Sequence, residues 1–145
     1  MKQVIALSGV AKKGKSQTII SVYELLVAKY RDAKVEHLAG SLGADVKVLI
    51  TINGITIGIE SQGDPLPGRL PKSLADFVKI GCEIIVCATR SYGATVEAVE
   101  KLKNAHGYDV ITFEQQDAGK SKSAQQSANQ KMAEAIVAEV EKSLQ

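Results

Sequence analysis

The sequence predicts an α/β domain, a three-layer α/β/α sandwich whose mixed, mainly parallel sheet contains one β-hairpin. Three observations carry this. Short apolar, β-branched runs alternate along the chain with longer segments of helical periodicity. Most intervals between successive runs are long enough for a helix to cross a sheet face. One pair of runs is joined by Asn53-Gly54 alone, and both residues tolerate the positive φ of a type I′ turn. The 145 residues fit one domain over residues 1–145, with no internal repeat and no linker that would split it.

Taken in order, QVIALSG is apolar and ends on glycine, which reads as a buried strand. Ile19, Val22, Tyr23, Leu26, Val27 and Tyr30 recur at helical spacing and predict an amphipathic helix from about Ser16 to Tyr30. Lys34 to Leu38 reads as a short strand. DVKVLITINGITIGIE supplies the hairpin, and the proline- and glycine-rich SQGDPLPGRLP follows it. Leu70, Leu74, Phe77 and Val78 mark a second helix that stops at Gly81. EIIVCATR is a buried strand, a helix with Val96, Val99 and Leu102 on one face comes next, and YDVITF is the last strand. Residues 117–129 are polar, with mobility expected over about 117–123. Ala133, Ile136, Val137, Val140 and Leu144 give the closing helix its packing face.

Composition narrows the function classes. The formal net charge is only +2, against the strong basic excess of a dedicated nucleic-acid binder. Lys12, Lys13, Lys15, Lys120 and Lys122 form local basic clusters, but the aromatics total six and suggest no base-stacking platform. The apolar run VIALSGV is far too short to span a bilayer and lacks a signal-peptide cleavage pattern, so no membrane association is expected and the cytoplasm is the expected compartment. Cys82 and Cys87 have no second cysteine pair or nearby histidine to complete a zinc site; they read as reduced, buried thiols. His37 and His106 match no triad or metal spacing, and His106-Gly107 reads as a helix end.

In open α/β sheets ligands bind beyond the carboxyl ends of the strands, so the loops after Leu7, Ile59 and Thr89 are the ones to examine. The first is GVAKKGKS, residues 9–16, placed between a strand and a helix. Gly9 and Gly14 permit torsions that turn successive amides toward one concavity. A helix starting near Lys15 adds unpaired N–H groups and the positive end of its dipole. Gly9, Val10, Ala11, Lys12, Lys13, Gly14, Lys15, Ser16 and Gln17 are therefore the candidate phosphate-binding residues.

This stretch resembles the Walker A region of P-loop nucleoside triphosphatases and kinases, over about the first 30 residues. The resemblance implies a P-loop fold that binds a nucleoside triphosphate. Lys15 would reach the β- and γ-phosphates and Ser16 would present its hydroxyl to a magnesium ion. The subgroup that includes septum-site and nitrogenase-iron-protein relatives has lysine directly after the first glycine; here that position is Val10.

The same resemblance calls for a carboxylate at the end of a neighbouring hydrophobic strand. ITIGIESQGD offers Glu60, which ends the apolar run, and Asp64, in the loop beyond it. Glu60-Ser61-Gln62-Gly63 also resembles the aspartate-x-x-glycine switch of GTPases, with glutamate in place of aspartate. Either acid would serve the metal, and Asp64 is also a catalytic candidate. Only three arginines exist, Arg31, Arg69 and Arg90. Arg90, at the carboxyl end of EIIVCATR, would stabilise charge on a transferring phosphoryl group or form a structural ion pair. Arg69 reads as surface, and Ser91-Tyr92-Gly93 would line a pocket.

No asparagine-lysine-x-aspartate element for guanine occurs, which favours ATP. The expected activity is magnesium-dependent phosphoryl transfer to a small-molecule acceptor, or hydrolysis assisted by a protein partner. A non-hydrolysing nucleotide sensor and a nucleic-acid-binding protein are the alternatives. Acceptor, pathway and oligomeric state are not written in the motifs.

Overall fold

Alternation along the strands turns successive side chains to opposite faces, and here both faces are apolar. The computed structural model describes residues 2–9, 14–38, 46–61, 69–89, 94–115 and 121–144. Its elements are β1 (Gln3–Ser8), α1 (Lys15–Lys29), β2 (Lys34–His37), β3 (Lys47–Ile52), β4 (Ile55–Glu60) and α2 (Arg69–Ile80). Then come β5 (Ile84–Thr89), α3 (Ala94–His106), β6 (Asp109–Glu114) and α4 (Lys122–Leu144). Among the described residues these make four helices and one six-stranded sheet in the order β2-β3-β4-β5-β1-β6.

Strands β4, β5, β1 and β6 are mutually parallel, and β3 and β2 continue the sheet as antiparallel partners. The hairpin turns at Asn53, φ 52°, and Gly54, φ 79°, as a type I′ turn requires. Ile5 and Leu7 of β1, Ile57 and Ile59 of β4, and Ile84 and Val86 of β5 join Ile19, Val22 and Leu26 of α1 and Ile136 and Val140 of α4 in one core. Val4, Ala6, Ile85 and Cys87 join Leu70, Leu74 and Phe77 of α2 and Val99 and Leu102 of α3 in the other. Helices thus cover both faces. Full burial of each large aliphatic side chain contributes roughly 1.5–3 kcal/mol.

Helix α2 stops where the sequence says it should. Gly81 has φ 94°, its N–H donates to the Val78 carbonyl, and the Cys82 N–H donates to the Phe77 carbonyl, a Schellman closure. The same helix rests on the sheet at Gly58, where a β-carbon would lie 2.7 Å from the Phe77 ring. Lys47, on the same face of β3, is 5% exposed and pairs with Asp76 of α2 at 2.8 Å. Helix α4 begins at Lys122, capped at Ser121, whose hydroxyl accepts the Ala124 N–H. Of the segment expected to be mobile, Lys122 and Ser123 are therefore helical, and residues 117–120 lie outside the described residues. No helix among the described residues is long and apolar enough to cross a membrane.

Both cysteines are free and buried. Burial pushes the Cys87 thiol up to about 12, and the neighbouring charge of Glu60 adds to it. Burial, with the charge of Glu83, does the same for Cys82.

Two outcomes follow from this packing. Gly58→Ala should lower the unfolding free energy by about 1–3 kcal/mol in a urea titration, because the Phe77 ring must shift. The folded thiols titrate above the ordinary value of 9.0, so their contribution to stability is complete below about pH 9 and declines toward pH 12. Alkylation should accordingly be slow in the native protein at pH 8 and fast once the chain is unfolded.

Candidate functional site

Four parallel strands bring their carboxyl ends, Ser8, Glu60, Thr89 and Glu114, to one edge of the sheet. Strand β4 belongs to this edge although it also forms the hairpin. One side pairs antiparallel with β3 and the other pairs parallel with β5, where Glu60 stands beside Cys87.

Lys15 is the first residue of α1. Its Nζ donates to the Gly9 carbonyl at 2.6 Å and to the Thr89 carbonyl at 2.5 Å. Gly9 directly follows β1 and Thr89 ends β5, so the ammonium lies across the ends of two adjacent strands. The chain enters α1 through Gly14, at φ 81° and ψ 13°, with no side-chain cap and no acidic residue in the first turn. The helix thus meets the edge with its positive end uncompensated by its own first turn. A β-carbon at Gly14 would be strained by that φ and would lie 2.8 Å from Oδ1 of Asn129.

Ser16 turns toward β4, its Oγ donating to the Ser61 carbonyl at 3.0 Å. Ser61 is buried, and its hydroxyl accepts the Val46 N–H at 2.8 Å. The preceding residue, Glu60, has no solvent exposure, and its Oε2 accepts a hydrogen bond from Ser73 Oγ of α2 at 2.8 Å. Helix α2 thus reaches the Glu60 carboxylate, on the face that Gly58 shares, while α1 reaches the backbone of the next residue, Ser61.

Beyond β6, the Gln115 N–H donates to the Ser8 carbonyl at 2.8 Å. Its side-chain Nε2 donates to Asn129 Oδ1 at 2.9 Å. Thr18 Oγ1 shares its hydrogen between the Gly14 carbonyl at 3.0 Å and Gln115 Oε1 at 3.1 Å. This chain of bonds links the start of α1 to β6 and α4.

The structure therefore brings together Gly9, Gly14, Lys15 and Ser16 at this edge, and places Glu60 at the end of β4 with its carboxylate turned to Ser73 of α2. Gln17 is exposed on the first turn of α1. Val10, Ala11, Lys12, Lys13, Asp64, Arg90, Ser91, Tyr92 and Gly93 lie outside the described residues. Arg69 opens α2, His106 ends α3, and His37 lies on β2 with its ring edge-on to Tyr23. Among the described residues no group of three or more histidine, cysteine, aspartate or glutamate side chains is placed to hold a metal.

Sequence reasoning pointed to the strand end at Thr89 but missed Ser73, Thr18, Gln115 and Asn129. Gln115 carried a usable signal, because it directly follows a parallel strand, as Gly9 follows β1. Asn129 carried none: it sits in a polar helical stretch and is brought to Gly14 only by the packing of α4. No protein-family model, curated relative or solved structure matches the chain.

Replacing Gln115 with leucine keeps its volume but leaves the buried Thr18 hydroxyl and the half-buried Asn129 amide without this partner. Gln115→Leu should cost about 1–3 kcal/mol in chemical denaturation, with the helical signal otherwise retained.

Proposed function

We propose that the chain binds a nucleoside triphosphate, ATP in the first instance, at the carboxyl edge of the sheet and uses magnesium for phosphoryl transfer or hydrolysis. In this reading the sheet is that of a P-loop nucleotide-binding domain. The observation that carries it is the Lys15 ammonium, set between the ends of β1 and β5 beside the start of α1. A cation and the positive end of a helix converge there, which suits a polyphosphate.

The donor set fits magnesium. Ser16 and Glu60 offer a hydroxyl and a carboxylate, both hard oxygen donors, and magnesium takes few protein ligands because it retains water. Those two residues would hold it, and when bound it supplies neutralisation of phosphate charge. Ser73 orients the Glu60 carboxylate. Lys15 would exchange its two carbonyl partners for phosphate oxygens, and the backbone around Gly9 and Gly14 would accept the phosphate chain. Asp64 and Arg90 keep their assigned roles on the sequence alone, as metal or catalytic acid and as stabiliser of the transferred group. An ATP-dependent activity of this kind fits a cytoplasmic protein.

Thermal and calorimetric titration with ATP and magnesium tests the reading. Ligand at a hundredfold its Kd should raise stability by about 2.7 kcal/mol, and Lys15→Ala should abolish the gain while remaining folded. Glu60→Gln should retain nucleotide and lose turnover on the order of a hundredfold, read as phosphate release or as product on an acceptor panel. Equal binding by Lys15→Ala would place the site elsewhere.

A further inference from the structure

The outer edge of β2 is a pairing surface, and its hydrogen-bond phase restricts what can pair with it. Among the described residues strand β2 ends the sheet, and all four of its residues are exposed. The Leu38 N–H donates to the Lys47 carbonyl, which fixes the phase of the β2–β3 ladder. With Lys34 opposite Thr51 and Glu36 opposite Leu49, residues 34, 36 and 38 direct their backbone groups inward to β3. Val35 and His37 direct theirs outward.

We propose that this edge pairs antiparallel with the same edge of a second copy, joining two sheets about a twofold axis through Val35. Two copies must match outward residues with outward residues, so the registers available to β2 step by two residues. Centring on Lys34 sets lysine against lysine, and centring on Glu36 sets glutamate against glutamate. Centring on Val35 sets each Lys34 against Glu36 of the other copy, twice, in the close non-hydrogen-bonded positions about 4.5 Å apart at Cα. Val35, one of the exposed large apolar side chains at 36%, then meets its own counterpart in the hydrogen-bonded pair. The opposite edge lacks this complementarity: β6, DVITFE, carries two acids and no basic residue to set against them.

Charged residues on an edge strand ordinarily discourage pairing. Here, of the registers centred on Lys34, Val35 and Glu36, the phase makes the Val35-centred one the register that sets opposite charges together. The strand is short, so association is weak and strengthens with concentration.

Sedimentation equilibrium from micromolar to millimolar protein, with single charge reversals, tests this. Wild type should dimerise, and Lys34→Glu and Glu36→Lys should each weaken the dimer by about tenfold or more. The double variant should dimerise like wild type. Mixing the two single variants should give a heterodimer, because each then presents one sign of charge to the other. At dilutions where all are monomeric, all four proteins should share the wild-type thermal transition, since both side chains are exposed. A wild-type chain monomeric throughout overturns the proposal and leaves the edge to a strand of another protein. A dimer indifferent to the single reversals, or single variants that fail to associate when mixed, also overturns it.

Discussion

The Lys15 ammonium held between the Gly9 and Thr89 carbonyls is the interaction on which the candidate site depends. Carbonyls at the ends of parallel strands have no further ladder partner, and buried ones need a donor. A single side chain from the start of α1 supplies two of them. The bond ties helix, β1 and β5 together at the edge, and it leaves a cation where a ligand would arrive. Backbone carbonyls are neutral acceptors, so a phosphate oxygen that displaced them would gain a charge-assisted bond.

Around that point the fold is organised by face. Helices α1 and α4 pack on one side of the sheet, and α2 and α3 on the other. The edge is where the two halves communicate, because loops from both faces end there. Ser16 links α1 to the end of β4, Ser73 links α2 to Glu60, and Gln115 links β6 to α1 and α4. Each is a small or neutral polar side chain with a specific partner, as burial near a polar site demands.

Much of this was legible in the sequence, for local reasons. Asn53-Gly54, Gly81 and the apolar runs signal turns, helix ends and strands through backbone preference and periodicity, which do not depend on distant residues. Asn53-Gly54 reports the antiparallel pairing of β4 with β3 but not its parallel pairing with β5, because a strand has two edges and local sequence reports only one of them. Asn129 shows the converse limit. Its contact with Gly14 exists because Ala133, Ile136 and Val140 seat α4 in the core beside α1, and nothing within a few residues encodes that.

Glu60 sharpens the distinction between a structural and a functional edge. A carboxylate without solvent exposure at the end of ITIGIE is costly to the fold, and an apolar residue would continue the strand at no such cost. The Ser73 hydroxyl donates to the carboxylate, the buried Lys47 stands opposite it across the β3–β4 ladder, and its charge reaches Cys87 on the next strand and raises that thiol further. Buried charge that perturbs its neighbours is more readily explained where a ligand uses it. Under the proposed function a cation beyond the end of β4 would be that ligand. On this view the polar groups gathered at the end of β4 would receive a cation, and the apolar sheet behind them supplies the rigidity that holds them in place.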